Sequence, residues 1–243
     1  MRCVKSIIAA VVAAAGMAHA DTVNMQFVGT GSVRSVKVTI GASTFNTSAG
    51  QLKHTFSAGN GVTTPLNGQT KVTFCTDLTE YVSAGGATYT VAPIASLPQT
   101  AGWAAMGAVR AQAVYNLFAA AGGAQNATGA NADYAAAFQI VLWEIVYDYT
   151  GSAGSLSLTG GNFKAKQTDG TALSGAILTN ATALFNAVTT GPNAAQTGLL
   201  GLTNNGAQDQ IVEMDLVPLP AGAMTGLAGL GLAALVRRRM IRR

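Results

Sequence analysis

The apolar pattern of this chain changes period near its middle, and that change limits the folds open to it. Residues 22–29, 33–40, 52–58, 71–78 and 87–94 alternate apolar and polar side chains, as strands with one buried face do. Gly-rich links such as "GTGS", "TSAGQ" and "SAGG" separate them. From Trp103 to Ala121 the spacing becomes helical, with Trp103, Met106, Val114, Leu117 and Phe118 in a stripe that Arg110 interrupts. A second helix is expected over 132–149, capped by Asn131, with Phe138, Leu142, Ile145 and Tyr149 on one face. A turn and short hairpin over 150–163, a third helix over 174–188 and a last strand over 210–216 complete the body. The pattern predicts an α+β fold: an antiparallel β-sheet or sandwich with two or three inserted helices.

Both ends depart from this body. "MRCVKSIIAAVVAAAGMAHA" has a basic start, a short apolar run and small residues at Ala18 and Ala20, the layout of a signal peptide cleaved after Ala20. At the other end Val217-Pro218-Leu219-Pro220-Ala221 leads into a 16-residue apolar run, 221–236, and then Arg237, Arg238, Arg239, Arg242 and Arg243. The run is shorter than the roughly 20 residues of a relaxed membrane span, and the arginines should stay on the cytoplasmic side. This order of parts resembles the VPLPA variant of the PEP-CTERM sorting signal. The resemblance implies a Gram-negative bacterium and a transient inner-membrane anchor through the C-terminal helix. It also implies processing by an exosortase-type membrane transpeptidase and delivery to the outer surface or extracellular matrix. The expected organisation is a signal peptide at 1–20, an extracellular domain at 21–216 and a sorting segment at 217–243.

Composition narrows the function of the body. The chain carries 14 Lys and Arg, but seven lie in the end segments, so seven face all 10 acidic residues between Asp21 and Leu216. No basic patch with interleaved aromatics remains for nucleic acid. His54 is the single histidine after the leader, and with one cysteine it makes no conventional zinc set. No metal or other cofactor is expected. "GTGSVR" lacks the third glycine of a dinucleotide loop, and "GSAGS" is not a nucleophile elbow. Three Asn-x-Ser/Thr sequons, at Asn46, Asn126 and Asn180, are what a chain rich in Asn and Thr reaches by chance. Asp77 and Glu144 are the carboxylates on which a secreted polysaccharide hydrolase would rest, the alternative to a non-enzymatic surface protein.

Cys75 is the one thiol left in the exported chain, since Cys3 leaves with the leader. Three readings stand side by side: a buried small hydrophobe, a link between two chains, or a sulfur held in a bond other than a disulfide. Gln139, inside the apolar run "FQIVLWEI", is a candidate partner for the last, because a buried amide is costly unless satisfied. Attack of the thiol on that amide would expel ammonia and leave a thioester. Asp77, Trp143, Glu144 and Tyr147 are candidates to support it.

Phe74-Cys75-Thr76-Asp77 and Phe138-Gln139-Ile140-Val141-Leu142-Trp143 resemble the paired motifs of bacterial surface thioester domains. Those motifs carry Thr before the Gln and Ala three after it, where this chain has Phe138 and Val141. The resemblance implies a covalent adhesin in which Cys75 supplies the sulfur, Gln139 the acyl group, and Trp143 shielding. Its partner would be an extracellular polysaccharide or an amine-bearing surface ligand.

Overall fold

The computed structural model describes residues 20–100, 102–123, 131–173 and 175–214. Residues 1–19 of the expected signal peptide and the sorting segment from Val217 to Arg243 lie outside the described residues. Seven strands form one antiparallel sheet: β1 (Thr22–Ile40), β2 (Ser43–Ser57), β3 (Thr70–Cys75), β4 (Ala87–Ala92), β5 (Phe163–Lys166), β6 (Leu199–Asn204) and β7 (Ala207–Glu213). Among the described residues three α-helices accompany it: α1 (Gly107–Ala120), α2 (Ala132–Tyr147) and α3 (Gly175–Thr190). The α+β expectation holds at this level.

The pairings also close on themselves. Strand order runs β2-β3-β7-β6-β4-β1-β5, and β2 pairs back onto β1. Six strands therefore form a ring, with β5 added to the far end of β1. Closure removes the exposed strand edges that an open sheet must protect. Val23, Met25, Phe56, Tyr89, Leu202 and Val212 pack together inside it.

Several boundaries differ from the sequence expectation, and the hairpin expected over 150–163 is instead a short 3-10 turn followed by β5, which pairs with β1. Residues 22–29 and 33–40 are not separate strands. They are one strand whose pairing with β2 shifts between Phe27 and Gly29 and again between Thr30 and Val33. Two bulges thus absorb the Gly-rich stretch that reads as a break. β2 starts at Ser43, well before residue 52. Its first half alternates Phe45, Thr47 and Ala49 inward with Thr44, Asn46 and Ser48 outward, a contrast too small in hydropathy to register. β6, "LLGLTN", falls in a segment where no strand was expected, and its partner β7 stops at Glu213.

The helices pack on one side of the ring. Phe74 points outward from β3 onto Phe118 of α1 and Phe138 of α2, with ring centroids 5.9 Å and 4.6 Å away. Phe118 and Phe138 meet edge to face at 5.0 Å. α2 is enclosed all round: every residue from Ala135 to Tyr147 is buried, so there is no single apolar face as the spacing suggested. Asn131 caps it, its Oδ1 accepting from the N–H of Asp133 and of Tyr134. At the other end Arg110 of α1 donates from Nε to the carbonyl of Tyr149 and from Nη1 to that of Val146, both at 2.8 Å. A guanidinium there meets the orphan carbonyls of the last turn and the negative end of the helix dipole. The charge that interrupted the α1 stripe is thus a cap for its neighbour.

Candidate functional site

β3 ends where β2 leaves it. The β2–β3 ladder runs from Thr55–Thr70 to Leu52–Thr73, after which β2 continues with β1 alone. On its other side β3 stays paired to β7, with Cys75 opposite Gln210 and the N–H of Thr76 donating to the carbonyl of Asp209. The backbone of Cys75 is therefore short of one neighbour, and Gln139 takes that place. The N–H of Cys75 donates to Gln139 Oε1 at 3.2 Å, and Gln139 Nε2 donates to the carbonyl of Cys75 at 2.8 Å. One carboxamide thus imitates the missing strand, which is what satisfies an amide buried in an apolar helix.

The sulfur of Cys75 sits in a tight local turn. Its thiol donates to the carbonyl of Asp77 at 2.6 Å, and the N–H of Asp77 donates back to it at 3.2 Å. Burial, then the charge of Asp77, pushes the thiol well above its ordinary range. The indole N–H of Trp143 opposes this by favouring the charged sulfur. That N–H is buried and makes no hydrogen bond of ordinary geometry among the described residues. Cys75 is 3% exposed and unpaired with any other cysteine.

Cys75, Gln139 and Trp143 floor a cavity of about 230 Å³ in the gap between β2 and β3. Its walls include Phe27, Leu52, Val82 and Gln208, and its rim carries Thr30, Ser48 and Tyr81, all exposed. None of these wall and rim residues was singled out from the sequence. Those on β1 and β2 lie in or beside stretches that read as links, and Tyr81 and Val82 follow the end of β3.

The remaining candidates serve the turn rather than the amide. Tyr147 Oη accepts from the N–H of Leu78 at 3.0 Å and donates to the carbonyl of Thr76 at 3.4 Å, and its hydroxyl is raised by burial. The Asp77 carboxylate accepts from the N–H and hydroxyl of Thr79 through Oδ1, and from the hydroxyl of Thr100 through Oδ2. Glu144 points elsewhere, accepting from the N–H of Ser157 at 2.7 Å through Oε1, while its buried Oε2 has no hydrogen-bond partner among the described residues. Burial raises its carboxyl to about 8. Asp77 and Glu144 are both fully buried, hold separate partners and do not line the cavity beside Cys75. They do not converge in an open cleft, which the hydrolase alternative requires.

Behind the cavity lies a neutral hydrogen-bonded row. His54 Nδ1 lies 2.9 Å from the hydroxyl of Thr73, which donates to Gln210 Oε1 at 3.0 Å. Since that hydroxyl has one proton, Nδ1 is the donor in the first bond. Burial lowers His54 to about 4, so its ring is neutral near pH 7. Among the described residues no group of three His, Cys, Asp or Glu could hold a metal ion, and no helix is long and apolar enough to cross a membrane. Comparisons with protein families, with curated proteins and with solved structures find no match to this chain.

Proposed function

We propose that this chain is an exported cell-surface or matrix adhesive protein whose Cys75 and Gln139 form an internal thioester for covalent attachment. The observation that carries the reading is the double hydrogen bond between the Gln139 amide and the backbone of the very residue that would attack it. Sγ is two bonds from the Cys75 backbone, and both groups floor one cavity.

In the forming step the sulfur bonds to Gln139 Cδ and the Cδ–Nε2 bond breaks. The thiol proton ends on the departing nitrogen, which leaves as ammonia. The N–H of Cys75, already on Oε1, polarises the carbonyl and supports the negative charge it gains. A raised thiol supplies little standing thiolate, so the step draws on enforced proximity and on exclusion of water. The N–H groups of Asp77 and Trp143 are the donors beside the sulfur as its charge changes. Before reaction the same amide is a structural plug for the end of β3.

Export and sorting belong to the same proposal and rest on the two ends of the sequence. An exosortase-type transpeptidase is the processing partner, acting near Val217 to Ala221, and the segment through Arg243 is the transient anchor. Removing residues 217–243 should release the protein from the cell surface; surface retention of the truncated chain would contradict the sorting assignment. The thioester itself is tested by the intact mass of the mature domain.

A further inference from the structure

The cavity over Cys75 and Gln139 also restricts which nucleophile can open the bond; this inference rests on the thioester reading. Among its lining residues there is no Asp, Glu, His, Lys or Arg. The titratable groups in contact with it are Cys75 itself and the Tyr81 phenol on the rim. Asp77 and Asp209 press on the sulfur from behind the wall. Their carboxylates are turned away, Asp77 to Thr79 and Thr100, Asp209 to the N–H groups of Gln99 and Asn204. The buried His54 ring lies against that of Phe27, centroids 5.6 Å apart, and is held by Thr73. Lys53 is exposed on β2.

Two consequences follow. A hydroxyl arriving at the thioester meets no base to take its proton, and is too weak a nucleophile without one. An ammonium meets no carboxylate among the described residues lining the cavity, so the amine enters neutral. A lysine side chain, with a pKa of about 10.4, is neutral in fewer than roughly one molecule in a thousand at pH 7. An amine that loses its proton near neutrality has no such handicap. Peptide N-termini and the amino groups of hexosamines are of that kind.

The rim chooses between them. Tyr81, 87% exposed, offers an aromatic ring, half-buried Phe27 adds a second in the wall, and Thr30, Thr47 and Ser48 offer hydroxyls. Ring faces with neutral hydrogen-bonding groups suit a polyol with apolar C–H faces. A peptide end meets the same hydroxyls there but no charged partner. We infer that the covalent target is the free amine of a hexosamine unit in a partly deacetylated polysaccharide. Its nitrogen bonds to Gln139 Cδ, the Cδ–Sγ bond breaks, and one amine proton passes to sulfur. The products are an amide and the free Cys75 thiol.

The test uses the mature protein and intact-mass kinetics at pH 7. Ammonia loss and a methylamine adduct are scored first; if either is missing, the thioester reading itself fails, and this inference with it. Given both, a deacetylated glucosamine oligomer should react at least about tenfold faster than an Nα-acetylated lysine peptide. The fully N-acetylated oligomer should give no adduct. Tyr81→Ala should slow the glucosamine oligomer severalfold and leave methylamine unchanged. Equal or faster reaction of the lysine peptide would overturn the inference while leaving the thioester intact. So would an adduct with the N-acetylated oligomer, or a lysine-free peptide with a free N-terminus that matches the glucosamine oligomer. Equal rates for Tyr81→Ala and the parent protein would overturn it as well.

Discussion

The carboxamide of Gln139 holds the backbone of Cys75 by both its N–H and its C=O, at 3.2 Å and 2.8 Å. Until Nε2 leaves as ammonia, this pairing holds the end of β3, and a Cys75→Ala background keeps it intact. Gln139→Leu keeps most of the volume but leaves two buried backbone groups unpaired. Unfolding by urea should show a loss of about 2–4 kcal/mol relative to a Cys75→Ala protein, in which no thioester can form. A loss under about 0.5 kcal/mol would mean that water or a shifted β2 takes over the role of the amide.

Arg110 bridges α1 to the end of α2, holding the carbonyl of Val146 in its last turn and that of Tyr149 just past it. Arg110→Met should cost about 1–3 kcal/mol, since it removes two charge-assisted hydrogen bonds while keeping the apolar stem. Thermal or urea unfolding measures it. Because the same cap steadies the helix that carries Gln139, amide exchange should quicken in the last turn of α2.

Glu144 sets the alkaline side of stability. Its folded carboxyl titrates at about 8 against an ordinary 4.5, so between those values the folded chain holds a proton that the unfolded chain has lost. Stability therefore falls as pH rises through this window. Asp209, raised to about 6 from 3.8, acts in the same sense at lower pH. His54, lowered to about 4 from 6.5, acts in the opposite sense between those two values. From about pH 6.5 to 8 the slope belongs mainly to Glu144 and should amount to about 1–2 kcal/mol. Glu144→Gln should flatten it, as read from urea unfolding at pH 6.5 and pH 8.

The sequence was most informative where side chains differ strongly in hydropathy. β3, β4 and the three helices stand near their expected places, and Asn131 caps α2 as read. The first half of β2 was illegible because Thr, Asn, Ser and Ala alternate with little contrast, and β1 because two bulges interrupt its period. That loss hid the cavity, whose walls come largely from those stretches. Cys75 and Gln139 could be singled out by elimination, one as a thiol without a disulfide partner, the other as an amide in an apolar helix. What no local pattern carries is the departure of β2 from β3, the long-range event that leaves the Cys75 backbone open to Gln139.

The central claim is a covalent bond between Cys75 and Gln139, and the intact mass of the mature domain tests it most directly. A thioester gives a mass lower than the sequence by one ammonia, an adduct with methylamine, and the full sequence mass for Cys75→Ala. A wild-type domain at full mass, whose thiol is alkylated only after unfolding, would contradict it and leave Cys75 a buried thiol with Gln139 as its backbone plug.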